Sequence, residues 1–290
     1  MPVRPRVSVV IRTYNRAEYL REAIESVLGQ TFRNFELIVA DDGSTDSTPE
    51  LLDRYRGRLT PVFLGRTANP ARVFNAGVLA ASGELVAFLD SDDTWLPTKL
   101  ERQVALLDAN ERFGFSYGNV RLLYPDGTQP PPLALDEIVA KSALRAMVRN
   151  MCVHTSTLVM RRCWFDRVGS FDEDRLTCEE FFFLLRLARA TDGVCVPEPV
   201  SVVRRHDSQL SLERGLSTYS AAIEALEELL QEGDLPWVVR FEAHRSIARY
   251  HTHLARVLTD AGPAPSARAH LLRALARYPW HLPAWRQLAG

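Results

Sequence analysis

The chain has 290 residues, of which 46% are hydrophobic and 24% charged, and its formal net charge at pH 7 is −1. This composition is ordinary for a globular protein, and the small net charge gives no support for nucleic-acid binding. No apolar stretch approaches the roughly 20 residues that a membrane-spanning helix needs. The four cysteines lack C-x-x-C spacing, so we expect buried thiols in a reducing, cytoplasmic compartment. Peripheral association with the inner face of the membrane is left open.

Strand and helix patterns alternate through the first 110 residues. Apolar runs at 7–11, 35–40, 61–64 and 85–89 predict buried strands, and the segments 17–28, 47–55 and 69–81 predict the helices between them. This order is typical of a parallel sheet covered by helices on both faces.

Three carboxylates follow the fourth predicted strand directly, in Asp90-Ser91-Asp92-Asp93. Carboxylates in such a cluster repel one another, and a hard cation such as Mg²⁺ or Mn²⁺, which prefers oxygen ligands, relieves that repulsion. The alternative is an acidic cap for the helix predicted to begin near Pro97. The tetrapeptide alone does not decide between these two interpretations.

Two other predicted strands also end in polar clusters. Thr13-Tyr14-Asn15 follows the first strand, and Asp41-Asp42 follows the second. Because the carboxyl ends of parallel strands meet at one edge, where such sheets bind ligands, the convergence favours a ligand and metal site over a helix cap. The chain has no G-x-G-x-x-G or G-x-x-x-x-G-K-[ST] motif, which argues against an ordinary dinucleotide site or a P-loop.

The middle of the chain adds one further carboxylate pair. A helix predicted at about 178–190 begins with Glu179-Glu180 and continues into an apolar run. Acidic residues in a first helical turn are favoured by the helix dipole, which is the structural interpretation. The functional interpretation is a carboxylate at the edge of an apolar wall, where its pKa would rise toward that of a general base.

From about residue 210 the pattern becomes purely helical, with helices predicted at 219–230, 236–258 and 266–277. We therefore predict a domain at 1–207, with a first half at 1–110 and a second half at 111–207, and a helical region at 208–290. Trp237, Trp280 and Trp285 lie near predicted helix ends. They would contact a membrane interface, or bury the helices against the α/β domain or a second subunit, so a homodimer through these helices is also left open.

The strand-end motifs resemble those of the family-two inverting nucleotide-sugar glycosyltransferases, which have the GT-A fold. The resemblance is carried by the segments 7–16, 26–31, 36–46 and 88–93, in that order and spacing. It implies an α/β protein with a mainly parallel sheet, flanked by helices and followed here by a helical extension. The Rossmann-like first half (1–110) would be the nucleotide-sugar-binding half of the domain, and 111–207 would be its acceptor-side half.

The resemblance also implies roles for individual residues. A nucleotide-sugar donor would be bound by Thr13, Tyr14, Asn15, Asp41, Asp42, Arg72, Asn75, Asp90, Ser91 and Asp92. Mn²⁺ or Mg²⁺ would be held by Asp92, Asp93 and His206, and would neutralise charge on the leaving diphosphate. A surface or core histidine is the alternative for His206. The acceptor, a glycan, lipid-linked or other hydroxyl compound, would contact Trp95, Glu179 and Arg205.

One position departs from the family pattern. Members of the family usually carry Glu-Asp where this chain has Glu179-Glu180, and the Asp is the base that deprotonates the acceptor. Glu180 is longer by one methylene, so its carboxylate would lie more than ~1 Å away from the usual position.

The leading hypothesis is therefore a metal-dependent inverting glycosyltransferase, with a UDP-sugar as donor and Glu180 as general base. A non-catalytic nucleotide-sugar-binding or assembly subunit is the alternative that the departure at Glu180 motivates. Nucleotidyl transfer is disfavoured because Arg12-Thr13-Tyr14-Asn15 supplies no glycine-rich basic loop.

Overall fold

The computed structural model describes residues 4–132, 142–151, 153–205, 215–260 and 265–289. The chain divides into two compact units. The first comprises Met1–Ala143 and Val153–His206, and the second comprises Leu144–Cys152 and Asp207–Gly290. Among the helices that the structure describes, none combines the length and the apolar character needed to cross a membrane.

Strands and helices alternate along the first unit, as predicted, and helices follow in the second. The strands are β1 (Val7–Thr13), β2 (Phe35–Asp41), β3 (Thr60–Phe63), β4 (Leu85–Asp90), β5 (Thr94–Trp95), β6 (Phe113–Leu123), β7 (Val159–Arg161) and β8 (Asp192–Arg204). The helices are α1 (Ala17–Leu28), α2 (Thr48–Arg54), α3 (Pro70–Ala80), α4 (Lys99–Ala109), α5 (Ala143–Asn150), α6 (Arg162–Val168), α7 (Glu179–Ala190), α8 (Gly215–Gln231), α9 (Trp237–Asp260), α10 (Pro265–Arg277) and α11 (Leu282–Ala289).

The described strands form one sheet in the order β3-β2-β1-β4-β7-β6-β8-β5. The pairs β1–β2, β1–β4, β2–β3 and β6–β8 are parallel, whereas β7 pairs antiparallel with β4 and β6, and β5 pairs antiparallel with β8. The predicted α/β architecture with a mainly parallel sheet and a helical C-terminal region is confirmed.

The central strands are buried because their residues are apolar on both faces, which is the pattern of a sheet covered on both sides. Val9, Val10 and Ile11 of β1 are all fully buried. Helix α3 packs directly on β1, because a Cβ atom at Gly77 would lie 2.3 Å from Cγ1 of Val10. This close approach fixes the distance between the α3 backbone and the strand that delivers the first polar cluster.

Three features of the first unit differ from the sequence expectations. The apolar run at 200–203 predicts a last strand of about four residues, whereas the strand begins at Asp192 because it pairs along almost the whole length of β6. Residues Thr94–Trp95 form a short strand on β8, where the sequence predicts only a helix cap. The cysteines are less buried than expected, since Cys163 is exposed and Cys178 and Cys195 are half-buried.

The second unit is a helical assembly with a small alanine- and leucine-rich core around α9, α10 and α11. Helix α5 belongs to it through the ion pair of Arg145 with Glu242, at 3.2 Å, and through the hydroxyl of Ser246, which donates to the carbonyl of Arg149 at 3.1 Å. Glu242 is buried, so this pair satisfies a carboxylate that would otherwise be costly to desolvate.

Candidate active site

The three polar clusters lie side by side at one edge of the sheet. In the register of the central strands, Thr13 of β1 pairs with Asp41 of β2, and Arg12 pairs with Asp90 of β4. The backbone N–H of Asp42 also donates to the carbonyl of Thr13 at 3.0 Å. The register therefore places the ends of β1, β2 and β4 at the same level, as the sequence predicts for a parallel sheet.

Arg12 connects this edge to the carboxylate pair at the start of α7. Its guanidinium donates from Nε to Asp90 (2.6 Å), from Nη1 to Glu179 (2.9 Å) and from Nη2 to Glu180 (3.0 Å). The same guanidinium lies 4.3 Å from the ring centroid of Phe74. Three carboxylates from two distant parts of the chain thus share one cation. Their charge raises the pKa of Arg12 although burial opposes it, so Arg12 stays protonated.

The backbone before α7 adopts an unusual conformation that aims both glutamates at Arg12. Cys178 precedes the helix with φ 56°, in the left-handed region that residues with a side chain rarely adopt. The helix begins at the next residue, so Glu179 and Glu180 occupy its first turn. Such backbone strain is concentrated at functional sites.

Asp92 and Asp93 have different environments although they are adjacent. Asp92 forms an ion pair with Arg16. Asp93 is buried and accepts hydrogen bonds from the Ser156 hydroxyl at 2.5 Å and from the backbone N–H of Arg204 at 3.2 Å. Burial raises the pKa of Asp93 well above its usual value, and the charges of Asp92 and Asp90 add to that rise. Asp93 therefore ties β4 to β8 and to the turn at Ser156.

The carboxylates at this edge differ in how well they fit a divalent cation. Burial raises the pKa of Asp90, the nearby Asp92 and Glu180 raise it further, and Arg12 lowers it; a bound cation would relieve this repulsion. Across the described ranges, no three His, Cys, Asp or Glu side chains are grouped so as to hold a metal by themselves. Asp90 and Asp92 fit a Mg²⁺ or Mn²⁺ site that is completed by substrate phosphates, the usual arrangement for Mg²⁺. Asp93 fits less well because both its oxygens accept protein hydrogen bonds.

The two glutamates also differ in exposure. Glu179 is buried, and burial, followed by the charge of Glu180, raises its pKa to about 7, while Arg12 lowers it. The side chain of Glu180 is 26% exposed, so Glu180 is the member of the pair that a solute can reach.

His154 faces the same group of charges: burial and Arg205 lower its pKa to about 4, and Glu180 and Asp92 oppose this. His154 is therefore neutral at pH 7.

The raised pKa of Glu179 leads to a stability prediction. The pKa of this glutamate is about 4.3 in the unfolded chain and about 7 in the folded protein, so its protonated form favours folding. This contribution to the free energy of unfolding is fully present below pH 4 and is lost as the pH rises to 7. We expect Glu179→Gln to stabilise the protein relative to wild type by about 2 kcal/mol more at pH 8 than at pH 5. Urea unfolding at both pH values measures this, with the exposed Glu198→Gln as control. The same difference in unfolding free energy between Glu179→Gln and wild type at pH 5 and at pH 8 would contradict this prediction.

A second set of contacts surrounds Asp42, next to β1. Asp42 accepts from the backbone N–H (2.8 Å) and hydroxyl (2.6 Å) of Thr67 and from the backbone N–H of Ala68 (3.1 Å), and it pairs with Arg66. The Arg66 guanidinium lies 3.6 Å from the ring centroid of Tyr14, which is partly exposed. This aromatic and cationic surface suits a flat nucleobase.

Other predicted donor-site residues hold loops in place. The Asn15 side-chain oxygen accepts from the backbone N–H of Thr45 at 2.7 Å, and Asp41 accepts from the hydroxyl (2.5 Å) and backbone N–H (3.1 and 3.3 Å) of Ser44. Thr13 is different: its hydroxyl is buried at the end of β1 and has no hydrogen-bond partner among the described residues. An unpartnered buried hydroxyl is costly, so a bound ligand atom would satisfy it.

Arg72 and Asn75 of α3 both contact Glu173. Arg72 donates from Nε to Glu173 at 2.9 Å, and the Asn75 amide donates to Glu173 at 3.0 Å and to the carbonyl of Phe171 at 2.9 Å. Asn75 also accepts from the backbone N–H of Phe171 at 3.0 Å. The two predicted donor-binding residues thus fasten the segment that leads into α7.

The remaining predicted site residues have separate environments. Trp95 is 4% exposed, and its indole N–H donates to the carbonyl of Ser156 at 2.7 Å, so it packs inside the first unit. Ser91 is buried within the acidic turn. The side chain of Arg205 faces His154 closely enough to lower its pKa. His206, predicted as a metal ligand, lies outside the described residues.

Sequence reasoning missed the basic and imidazole groups of this site. Arg12 and Arg16 lie inside the first strand-end motif, Arg66 follows β3, and His154 precedes the turn that carries Ser156. The available signal was electrostatic: several buried carboxylates at one sheet edge require cations nearby, and two arginines occur in the motif itself.

Comparisons with known proteins agree with the fold and the strand-end motifs. Residues 8–169, more than half of the chain, match the family described as glycosyl transferase family 2. The chain belongs to this family. An uncharacterized glycosyltransferase, alr2836 of Nostoc sp., is 38% identical over 177 residues, which cover 58% of this chain and 54% of that protein. A putative teichuronic acid biosynthesis glycosyltransferase, TuaG of Bacillus subtilis, is 37% identical over 128 residues, or 43% of this chain and 50% of that protein. The matches thus span about half the length of these relatives.

Two solved structures share the fold of this family 2 chain. One is S. aureus TarS 1-349 in complex with UDP-GlcNAc, with a TM-score of 0.65, 17% identity, and coverage of 97% of this chain and 92% of that one. The other is the mannosyltransferase PcManGT from Pyrobaculum calidifontis in complex with GDP-Man and Mn²⁺, with a TM-score of 0.67, 22% identity, and coverage of 99% and 79%. The likeness extends over nearly the whole chain.

Proposed function

We propose that this family 2 glycosyltransferase is a metal-dependent inverting enzyme that moves one sugar from a nucleotide-sugar donor to an acceptor hydroxyl in glycan synthesis. The observation that carries the proposal is the meeting of Asp90, at the end of β4, with Glu179 and Glu180, at the start of α7, on the guanidinium of Arg12. One edge of the sheet therefore holds both the acidic groups suited to a donor's diphosphate and a carboxylate that can accept a proton.

The donor would lie along the ends of β2, β1 and β4. The base of the donor would contact Tyr14, Arg66 and Asp42. The buried hydroxyl of Thr13 would form a hydrogen bond with the nucleoside. Asp90 and Asp92 would face the diphosphate, and a Mn²⁺ or Mg²⁺ ion held there would neutralise charge on the leaving group. Arg16, now paired with Asp92, is a cation that a diphosphate would also attract.

Glu180 would act as general base. The acceptor O–H would give its proton to a Glu180 oxygen while the acceptor oxygen attacks the anomeric carbon from the side opposite the diphosphate. The carbon–oxygen bond to the diphosphate breaks as the new bond forms, so a single displacement inverts the configuration. Asp90 ends β4, at the sheet edge where the donor would lie, and Glu180 is more exposed than its neighbour Glu179, which supports this division of roles.

A UDP-sugar is the proposed donor. TarS was solved with UDP-GlcNAc and PcManGT with GDP-Man and Mn²⁺, and both sets of names support a nucleoside diphosphate sugar. We expect purified protein to release nucleoside diphosphate from a UDP-sugar in the presence of Mn²⁺ or Mg²⁺, at a rate that falls at least about tenfold with excess chelator. A panel of UDP- and GDP-sugars, assayed without acceptor, measures this. Donor binding by calorimetry, with no turnover over a broad acceptor panel, would instead favour the non-catalytic subunit.

The helical unit supplies the observation behind the proposed membrane association. Trp237, Trp280 and Trp285 are 76%, 71% and 54% exposed, and residues from 234 onward carry eight Arg against three acidic residues. Exposed Trp together with Arg suits the surface of an anionic bilayer. Flotation with anionic vesicles tests this proposal, and sedimentation of the protein alone tests the homodimer that is its alternative.

A further inference from the structure

We propose that Arg12 is the positioning residue for the general base: its guanidinium fixes the carboxylate of Glu180 against the sheet edge and thereby allows a glutamate to serve in that role. The inference rests on the proposed function and adds to it a residue that none of the sequence-based role assignments includes.

Arg12 contacts both the proposed donor-side carboxylate, Asp90, and the proposed general base, Glu180. Nε engages Asp90 on the donor side at 2.6 Å, while Nη1 and Nη2 engage Glu179 at 2.9 Å and Glu180 at 3.0 Å. The guanidinium is planar and its donors diverge at fixed angles. The three carboxylates are therefore held at fixed positions relative to one another, so a shift of Glu180 away from the donor edge would break a charge-assisted hydrogen bond.

Arg12 is itself held rigidly. It lies on the central strand β1, which pairs on both sides with β2 and β4, and its side chain is 18% exposed. Its guanidinium stacks over Phe74, 4.3 Å from the ring centroid, and Phe74 packs against Phe88 and Phe171 at centroid distances of 5.3 and 5.5 Å. Because this packing holds the guanidinium in one position, the carboxylate that it binds is also held in one position.

Glu180 needs such a partner more than an aspartate would. A glutamate has one more rotatable bond than an aspartate, and free rotation about that bond moves the carboxylate by more than the roughly 0.5 Å that a productive geometry tolerates. Arg12 binds Oε1 of Glu180, and among the described residues no hydrogen bond engages Oε2. One oxygen thus fixes the side chain, and the other remains to accept the proton.

The test compares Arg12→Lys with wild type. Lysine keeps the positive charge but cannot reach three carboxylates in the geometry of the guanidinium. We expect the kcat for transfer to fall about 100-fold, with the donor Kd and the rate of acceptor-independent donor hydrolysis changed less than about threefold. Arg161→Lys is the matched control, because Arg161 is a partly buried arginine that binds the main-chain carbonyls of Phe113 and Leu107. It should retain wild-type kcat.

Chemical rescue supplies the second measurement. We expect Arg12→Ala to lose transfer and to regain at least about tenfold of it with added guanidinium ion at millimolar, non-denaturing concentration, whereas Arg161→Ala gains nothing. Thermal unfolding of each variant shows whether it is folded, and Arg12→Lys covers the case in which Arg12→Ala is not.

The outcomes separate the two proposals. A wild-type chain that binds donor without transferring sugar overturns the proposed function and this inference together. Wild-type transfer with an unchanged kcat in Arg12→Lys overturns the inference alone. A weakened donor Kd that accounts for the whole loss also overturns it, because Arg12 would then be a donor ligand.

Discussion

Replacing Glu180 with glutamine is expected to lower the rate of sugar transfer by about 10³-fold while leaving donor affinity unchanged. Glutamine has the same length as glutamate, and its side-chain oxygen can still accept the bond that Arg12 Nη2 makes to Glu180 Oε1 at 3.0 Å. The substitution therefore removes basicity without removing the contact. Steady-state kinetics with donor and acceptor varied separately measure kcat, and calorimetry with the nucleoside diphosphate measures affinity.

A matched substitution gives the control for the same prediction. Glu198→Gln, which changes an exposed glutamate paired with Arg102, should retain wild-type turnover and donor affinity. Full transfer activity in Glu180→Gln would remove Glu180 from the mechanism.

Replacing Asp92 with asparagine is expected to lower turnover by about 10²-fold and to raise the Mn²⁺ concentration that gives half-maximal activity. Asp92 is the member of the acidic turn that pairs with Arg16, a cation that a diphosphate would also attract. Asparagine keeps an oxygen donor but loses the negative charge that attracts the ion. Titration of activity with Mn²⁺ and with Mg²⁺ measures the change.

Asp93→Asn is the matched control for this prediction. Asp93 accepts from the Ser156 hydroxyl and the Arg204 backbone N–H, so both of its oxygens are engaged by the protein. The metal concentration for half-maximal activity should stay near that of wild type. A larger effect on metal dependence from Asp93→Asn than from Asp92→Asn would reverse the assignment of these two residues.

Much of the fold was accessible from sequence because local patterns encode it. The apolar runs around Val10 and Phe88 are buried strands in the structure, and their continuous hydrophobicity predicts a sheet that is covered on both faces. The polar clusters at Thr13 and Asp41 follow from the same reasoning, because all strands of a parallel sheet end in the same direction. The register Thr13–Asp41 confirms that they meet.

The partners of individual site residues were not accessible in this way. Trp95 is predicted to contact the acceptor, yet it lies on β5, which pairs with β8, and it is buried. The resemblance assigns Asn75 and Arg72 to donor binding, yet in the structure both contact Glu173, about 100 residues away. Local periodicity carries no information about such pairs, since they depend on how distant segments pack.

The sequence by itself predicted an α/β protein with acidic groups converging at one edge of a parallel sheet, because hydrophobic period, strand order and chain direction carry that information. The glycosyltransferase family was implied separately, by the resemblance of the strand-end motifs. Only the tertiary structure decided that Arg12 binds both Asp90 and the glutamates of α7, 78 to 168 residues away, and that Asp92 and Asp93 face different partners. A carboxylate that is removed from water is costly unless a cation lies beside it, and the packing of distant segments decides which cation that is.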